Sequence, residues 1–210
     1  MKRGKLIRFL GIEGAGKSTQ AILFQNYLLS KNIPVGLLRE PGGTKEAEAI
    51  RSFFLDSSRS EKDELNFNKL SKLYLLQVAR NELYEKIILP GIEKGISYIQ
   101  DRGEDCSLAY QGYGWGMDKD FIKKLNLEST YRLKADLGIV IDIDPEIGLM
   151  NETTVNSMSQ EKTDFYQRAR EGYLEIAKEN PDNYIVIPWE KGIDKIQSLI
   201  KPSIDKLFDF

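Results

Sequence analysis

The sequence predicts an α/β fold in which a parallel sheet is covered by helices on both faces. Two observations carry this. Short apolar runs recur at residues 6–12, 35–38, 96–100, 137–143 and 184–187, and helical patterns separate them at 17–30, 45–55, 68–89, 119–125, 163–179 and 193–207. Continuous apolar runs suit strands buried on both faces, and regular alternation with helices makes those strands parallel. The second observation is the length: 210 residues, 41% of them apolar and 30% charged, fit one domain over 1–210 with a full core. No repeat or linker divides the chain.

Individual elements follow from local pattern. The stretch 68–89 is apolar on more than one side, because Leu70, Leu73, Leu76, Val78 and Leu83 cannot share one stripe with Tyr74, Leu75, Ile87 and Ile88. Such a helix is expected to be buried all round inside the monomer, with a dimer face as the alternative.

Composition excludes several chemistries. With no histidine and one cysteine, Cys106, the chain cannot build a Ser-His-Asp or Cys-His triad, a histidine-ligated zinc site or an internal disulfide. Sparse cysteine fits the cytoplasm, and Arg8 and Glu13 interrupt the only apolar run near the amino terminus, so neither a signal peptide nor a membrane span is expected. A net charge of −2 argues against nucleic acid as a partner.

Gly11, Ile12, Glu13, Gly14, Ala15, Gly16, Lys17 and Ser18 match the phosphate-loop pattern G-x-x-x-x-G-K-[ST], with Thr19 next, between the first predicted strand and the first predicted helix. Glycines let backbone N–H groups converge on phosphate oxygens, and the helix amino terminus adds positive potential. Lys17 is expected to bridge the β- and γ-phosphates of a nucleoside triphosphate, and Ser18 to ligate Mg²⁺. The DxxG and NKxD strings of GTP-reading proteins do not occur.

Arg39, Arg51, Arg80 and Arg102 fall on elements that follow the second and third strands. In an open parallel sheet those elements meet in the crevice at the carboxyl ends of the strands. A planar guanidinium there suits a second phosphate. Asp101 ends the third strand, the place for an acid of the Mg²⁺ shell.

In these motifs the sequence resembles the thymidylate kinase family of the bacterial kind over nearly its whole length. The resemblance rests on residues 11–19, on REPGGT (39–44), Arg51, Ala79 with Arg80, Asp101 with Arg102, AYQG (109–112), DIDPEIG (142–148) and DFYQRAREGYLEIA (164–177). It implies a P-loop nucleotide kinase fold with a five-stranded parallel sheet and a LID over about 148–167. It also implies Mg²⁺-dependent transfer of the ATP γ-phosphate to dTMP, giving dTDP for dTTP synthesis, in a homodimer. By the same resemblance Glu13 sits near the deoxyribose 3′-hydroxyl, Arg51 and Arg102 at the acceptor phosphate and Arg80 at the thymine edge. Ser107, Tyr110 and Gln111 border base and sugar, with Tyr110 crowding the place of a ribose 2′-hydroxyl. The chemistry agrees with the composition, because an anionic acceptor needs no strong base, only two anions held in line with their charge neutralised.

The chain departs from the family at three places. Leu10 stands where a glutamate is common, and Leu76 where a phenylalanine stacks on thymine. The LID is poor in arginine: Lys162 is its only basic residue, with Arg168 and Arg170 following at once. Lys162 or Arg168 is therefore expected to share the transition-state charge, or turnover to be slow. Two alternatives come from these departures, a kinase for another nucleoside monophosphate and a nucleotide-binding protein with weakened catalysis.

Overall fold

The computed structural model describes residues 2–55, 67–151, 161 and 163–210, so Lys162 and half of the expected LID lie outside the described residues. Five strands, β1 (Leu6–Leu10), β2 (Val35–Arg39), β3 (Ser97–Asp101), β4 (Leu137–Asp142) and β5 (Tyr184–Pro188), form one sheet in the order β2-β3-β1-β4-β5. All four pairings are parallel. β1 is therefore central, and the chain leaves it toward both edges, so its carboxyl end is the switch point where a crevice opens.

Successive residues of β1 point to opposite faces. Phe9 stacks on Phe24 of α1 (Lys17–Ser30), centroid to centroid 6.0 Å, and α9 (Ile193–Phe208) closes the same core with Ile196, Ile200 and Ile204. On the other face Leu6 packs with Leu83 and Tyr84. Burial of one such side chain contributes about 1.5–3 kcal/mol. Also on that face is Arg8, fully buried in the middle of the sheet.

The predicted 68–89 helix is longer than expected and changes its winding. α3 (Lys69–Leu83) is capped by Asn68, whose side chain accepts from the Ser71 N–H at 2.9 Å, and runs through a π-helical segment (Tyr84–Ile88) into α4 (Leu89–Glu93). Its expected burial on all sides is corrected: Leu70, Tyr74 and Val78 are 42%, 46% and 51% exposed. They stand four residues apart and so form one stripe.

α2 (Lys45–Leu55) and α8 (Thr163–Glu179) fall where the pattern put them, and α6 (Lys119–Ser129) runs four residues beyond it. Three helical pieces were not expected: α5 (Glu104–Ser107), a second π-helical segment (Leu108–Gly114) and α7 (Pro145–Asn151). Gly112 and Gly114 argue locally against helix, but tertiary packing overrides propensity. A Cβ at Gly114 would stand 2.3 Å from the Phe165 ring, so glycine is what lets α8 lie against this segment. Among the described residues no helix is long and apolar enough to cross a membrane.

Candidate active site

The first strand delivers its chain into a loop whose Gly11, Gly14 and Gly16 all adopt positive φ, at 132°, 69° and 86°. Gly14 has a second reason to be glycine, since its Cβ would meet the Gly148 carbonyl of α7 at 1.9 Å. Gly16 supplies no side-chain cap to α1, and the first turn of α1 holds no acid, so the helix amino terminus is left for an anion.

Lys17 is buried, and its Nζ donates to the Ile12 carbonyl at 2.7 Å, folding the ammonium across the loop. Burial and the neighbouring Arg102 push its pKa down to about 8, against the attraction of Asp101 and Glu13. Ser18 Oγ donates to Asp101 Oδ2, while Asp101 Oδ1 is buried without a hydrogen-bond partner. A hydroxyl, a carboxylate oxygen and an unpaired carboxylate oxygen at one point fit Mg²⁺, which keeps several waters and shares phosphate oxygens instead of needing a protein cage.

Beside the loop, Glu13 accepts from Arg102 Nη2 at 3.0 Å and from the Tyr110 hydroxyl at 2.5 Å. Burial raises the Glu13 carboxyl, but Arg102 and Lys17 outweigh it and hold the group below its ordinary value. Arg102 has a φ of 73°, the left-handed region rare for a residue with a side chain, and its N–H donates to the Phe9 carbonyl at 3.1 Å. Burial would lower its pKa, yet Glu13 raises it, so it stays charged.

Arg51 donates to the Pro41 carbonyl at 2.8 Å, across a turn made by the cis Glu40–Pro41 bond, Gly42 and Gly43. Its pKa is lowered by burial first, then by Arg39 and Arg102, against the attraction of Glu48 and Asp101. Among the described residues Arg39 pairs with the exposed Glu48, at 3.3 Å. Arg51 is thus repelled by both Arg39 and Arg102, a charge that a bound anion would offset.

Arg80 is different. Nε donates to Glu40 at 2.8 Å, Nη1 to Gln77 at 2.8 Å and Asn126 at 3.0 Å, and Nη2 to Ser107 Oγ at 3.0 Å and the Gly103 carbonyl at 3.4 Å. Its fork is therefore filled within the protein. Leu76, one turn earlier, is half-buried and belongs to none of the core clusters. Tyr110 and Gln111 are buried on the second π-helical segment, a winding frequent at functional sites.

Structure thus gathers Glu13, Lys17, Ser18, Asp101, Arg102 and Tyr110 into one linked set, with Arg39 and Arg51 alongside. Arg168 is not linked to that set: it is exposed and donates to the Gly114 carbonyl at 2.8 and 3.2 Å. Arg170 forms a fork with Asp142 at the end of β4, at 2.5 and 3.0 Å. Leu10 lies in the core with no exposure, so that departure is absorbed by packing. Cys106 packs in the core and accepts from the Tyr173 hydroxyl at 3.0 Å. Sequence reasoning missed Glu40 and Gln100 as supports of Arg80. The only signal was two polar residues at the ends of otherwise apolar runs.

A thymidylate kinase family model matches residues 9–200. The chain belongs to the thymidylate kinase family. It is 38% identical to the thymidylate kinase of Thermosipho melanesiensis, over 97% of this chain and 98% of the relative, and 37% identical to that of Chlorobaculum tepidum, over 96% and 97%. Among solved structures, the thymidylate kinase of Ehrlichia chaffeensis superposes with a TM-score of 0.77 at 30% identity, covering 96% of this chain and 99% of its own. The thymidylate kinase match spans both the phosphate loop and the arginine cluster, so the five-stranded sheet is that of a P-loop kinase and the chain is an enzyme of that kind.

Proposed function

We propose that this chain, as a single domain with its LID over about 148–167, transfers the γ-phosphate of ATP to dTMP with Mg²⁺, giving dTDP for dTTP synthesis in the cytoplasm. One observation carries the reading: Asp101 attracts, and Arg102 repels, both Lys17 of the glycine loop and Arg51, so the phosphate loop and the arginine cluster adjoin across Asp101 and Arg102. That arrangement serves a reaction that brings two phosphates together in line.

In this reading the backbone of Gly11 to Thr19 holds the ATP phosphates, and Lys17 exchanges the Ile12 carbonyl for a phosphate oxygen. Ser18 and Asp101 would hold Mg²⁺, which when bound neutralises phosphate charge. Arg51 and Arg102 fix the acceptor phosphate, and Arg39 adds to the field. Glu13 orders Arg102 and, in this reading, accepts from the sugar 3′-hydroxyl. Tyr110, pinned by Glu13 and packed against Phe165 at a centroid distance of 5.6 Å, leaves little room for a 2′-hydroxyl. Arg80, Ser107, Leu76 and Gln111 line the base; the 3.4 Å bond from Arg80 to Gly103 is the one a base oxygen would replace. Lys162 or Arg168 shares the transition-state charge, or turnover is slow; Arg168 must release the Gly114 carbonyl to take that role. The exposed stripe of Leu70, Tyr74 and Val78 supports a homodimer.

ADP release with ATP and Mg²⁺ tests the proposal, with dTMP and dUMP run against dCMP, dGMP and AMP and a blank without acceptor. Preferential turnover of dTMP is expected. Turnover of another monophosphate in its place would favour the reading that Leu76 motivates, a changed base preference. Binding of dTMP without ADP release would leave a nucleotide-binding protein.

A further inference from the structure

Arg8 is a buried guanidinium in the central strand that none of the steps above uses. Directly beside it in register on β3 is Gln100, also with no exposure. Arg8 Nε donates to Gln100 Oε1 at 3.2 Å, and the Tyr84 hydroxyl lies 3.3 Å from the same oxygen. Both partners claim that oxygen, so the amide is oriented with its NH₂ outward, and Gln100 Nε2 donates to Glu40 Oε1 at 3.0 Å. The other Glu40 oxygen accepts from Arg80 Nε at 2.8 Å. On its far side Arg8 is held by Glu104 at 2.5 Å, Asp105 at 3.2 Å and Tyr84 at 2.7 Å.

The result is an unbroken hydrogen-bonded line, Glu104/Asp105 to Arg8 to Gln100 to Glu40 to Arg80, with Arg8, Gln100, Glu40 and Arg80 at 5% exposure or less. Direction matters in it. Arg8 can only donate and the Glu40 carboxylate can only accept, so Gln100 has one satisfactory orientation between them. Removing Arg8 takes a buried donor from the Gln100 oxygen, so the amide that donates to Glu40 is held less firmly, which loosens the carboxylate behind Arg80.

We propose that Arg8 and Gln100 are positioning residues for the acceptor base: acting through Glu40, they fix the guanidinium of Arg80 and thereby set acceptor affinity without touching the nucleotide. This rests on the reading that Arg80 borders the base of dTMP.

The test is steady-state kinetics of Gln100→Leu in the full chain, with dTMP and ATP varied separately. Turnover of dTMP by the parent enzyme is measured first; without it the functional reading fails, and that is distinct from failure of the relay. Given turnover, KM for dTMP is expected to rise about tenfold, as for a lost buried hydrogen bond, while KM for ATP and kcat change less than about twofold. Gln100→Glu is expected not to rescue, because it places a second carboxylate against Glu40, whereas Arg8→Lys is expected to lie between parent and Gln100→Leu. An unchanged KM for dTMP, or equal rises for both nucleotides, overturns the proposal. Should Gln100→Leu fail to fold, Tyr84→Phe decides, since it removes a donor from the Gln100 oxygen and an acceptor from Arg8, both within the relay. A rise of about two- to threefold in KM for dTMP alone is then expected, and no rise overturns the relay.

Discussion

Arg80 and Arg102 each sit beside a carboxylate, yet their forks are filled in opposite ways. Around Arg80 the donors meet Glu40, Gln77, Asn126, Ser107 and the Gly103 carbonyl. Around Arg102 the contacts are Glu13 at 3.0 Å and a marginal 3.5 Å to the Tyr110 hydroxyl. Nearby, Arg51 is depressed by burial and by neighbouring arginines, Lys17 spends its ammonium on a carbonyl, and one Asp101 oxygen has no partner. Buried polar groups are normally satisfied, so a shortfall marks where something else completes the site. The saturated cluster is scaffold, and in the proposed function it lies under the base while the unsaturated one is where charge arrives.

The comparison breaks most plainly at Lys17. Lys17→Ala is expected to lower kcat by about 10²–10³-fold or more, the range for one preorganised donor to a reacting group, with the melting temperature little changed. A loss under tenfold would mean that the loop is not where charge develops.

Stability sharpens it next. Arg80→Ala strands Glu40 in the interior and is expected to destabilise by about 3–5 kcal/mol in urea unfolding. Arg51→Ala, whose fork is partly open to solvent, is expected to cost under about 1 kcal/mol while raising KM for the acceptor. Equal destabilisation by the two would erase the distinction between scaffold and open site.

The smallest effect is a proton. With Lys17 near 8 in the free enzyme, about half of it is neutral at pH 8, and a bound triphosphate favours the charged form. Binding of ATP is therefore expected to take up a fraction of a proton at pH 8 and almost none at pH 6. Calorimetry in buffers of different ionisation enthalpy measures this uptake, and Lys17→Met should abolish it. Uptake that grows toward low pH would assign the proton elsewhere.

How much of this could be read from the chain differs by element. The strands and the helices α1, α2 and α8 followed from apolar runs and period, because buried strands and amphipathic faces are written locally. The glycine loop was legible for the same reason, since conformation and ligand both act within eight consecutive positions. The segment from Glu104 to Gly114 was not: its glycines speak for a loop, yet it winds as a helix, with Gly114 against Phe165 of α8 and Gly112 against Ile122 of α6. Exposure of Leu70, Tyr74 and Val78 was equally hidden, because an apolar helix face does not say whether its cover comes from the same chain.

By itself, then, the sequence determined the α/β class, the phosphate-loop pattern with Lys17 and Ser18, and which arginines fall on elements following the second and third strands. Tertiary structure alone decided which arginine is spent and which is open, since that depends on partners from distant elements, such as Glu40 after β2 and Asn126 on α6 both meeting Arg80. It also decided that Arg8, which reads in sequence as an interruption of an apolar strand, is the buried link between Gln100 and Glu104. The reason is physical: a hydrogen bond is fixed by geometry across the fold, and residue spacing along the chain records only its local part.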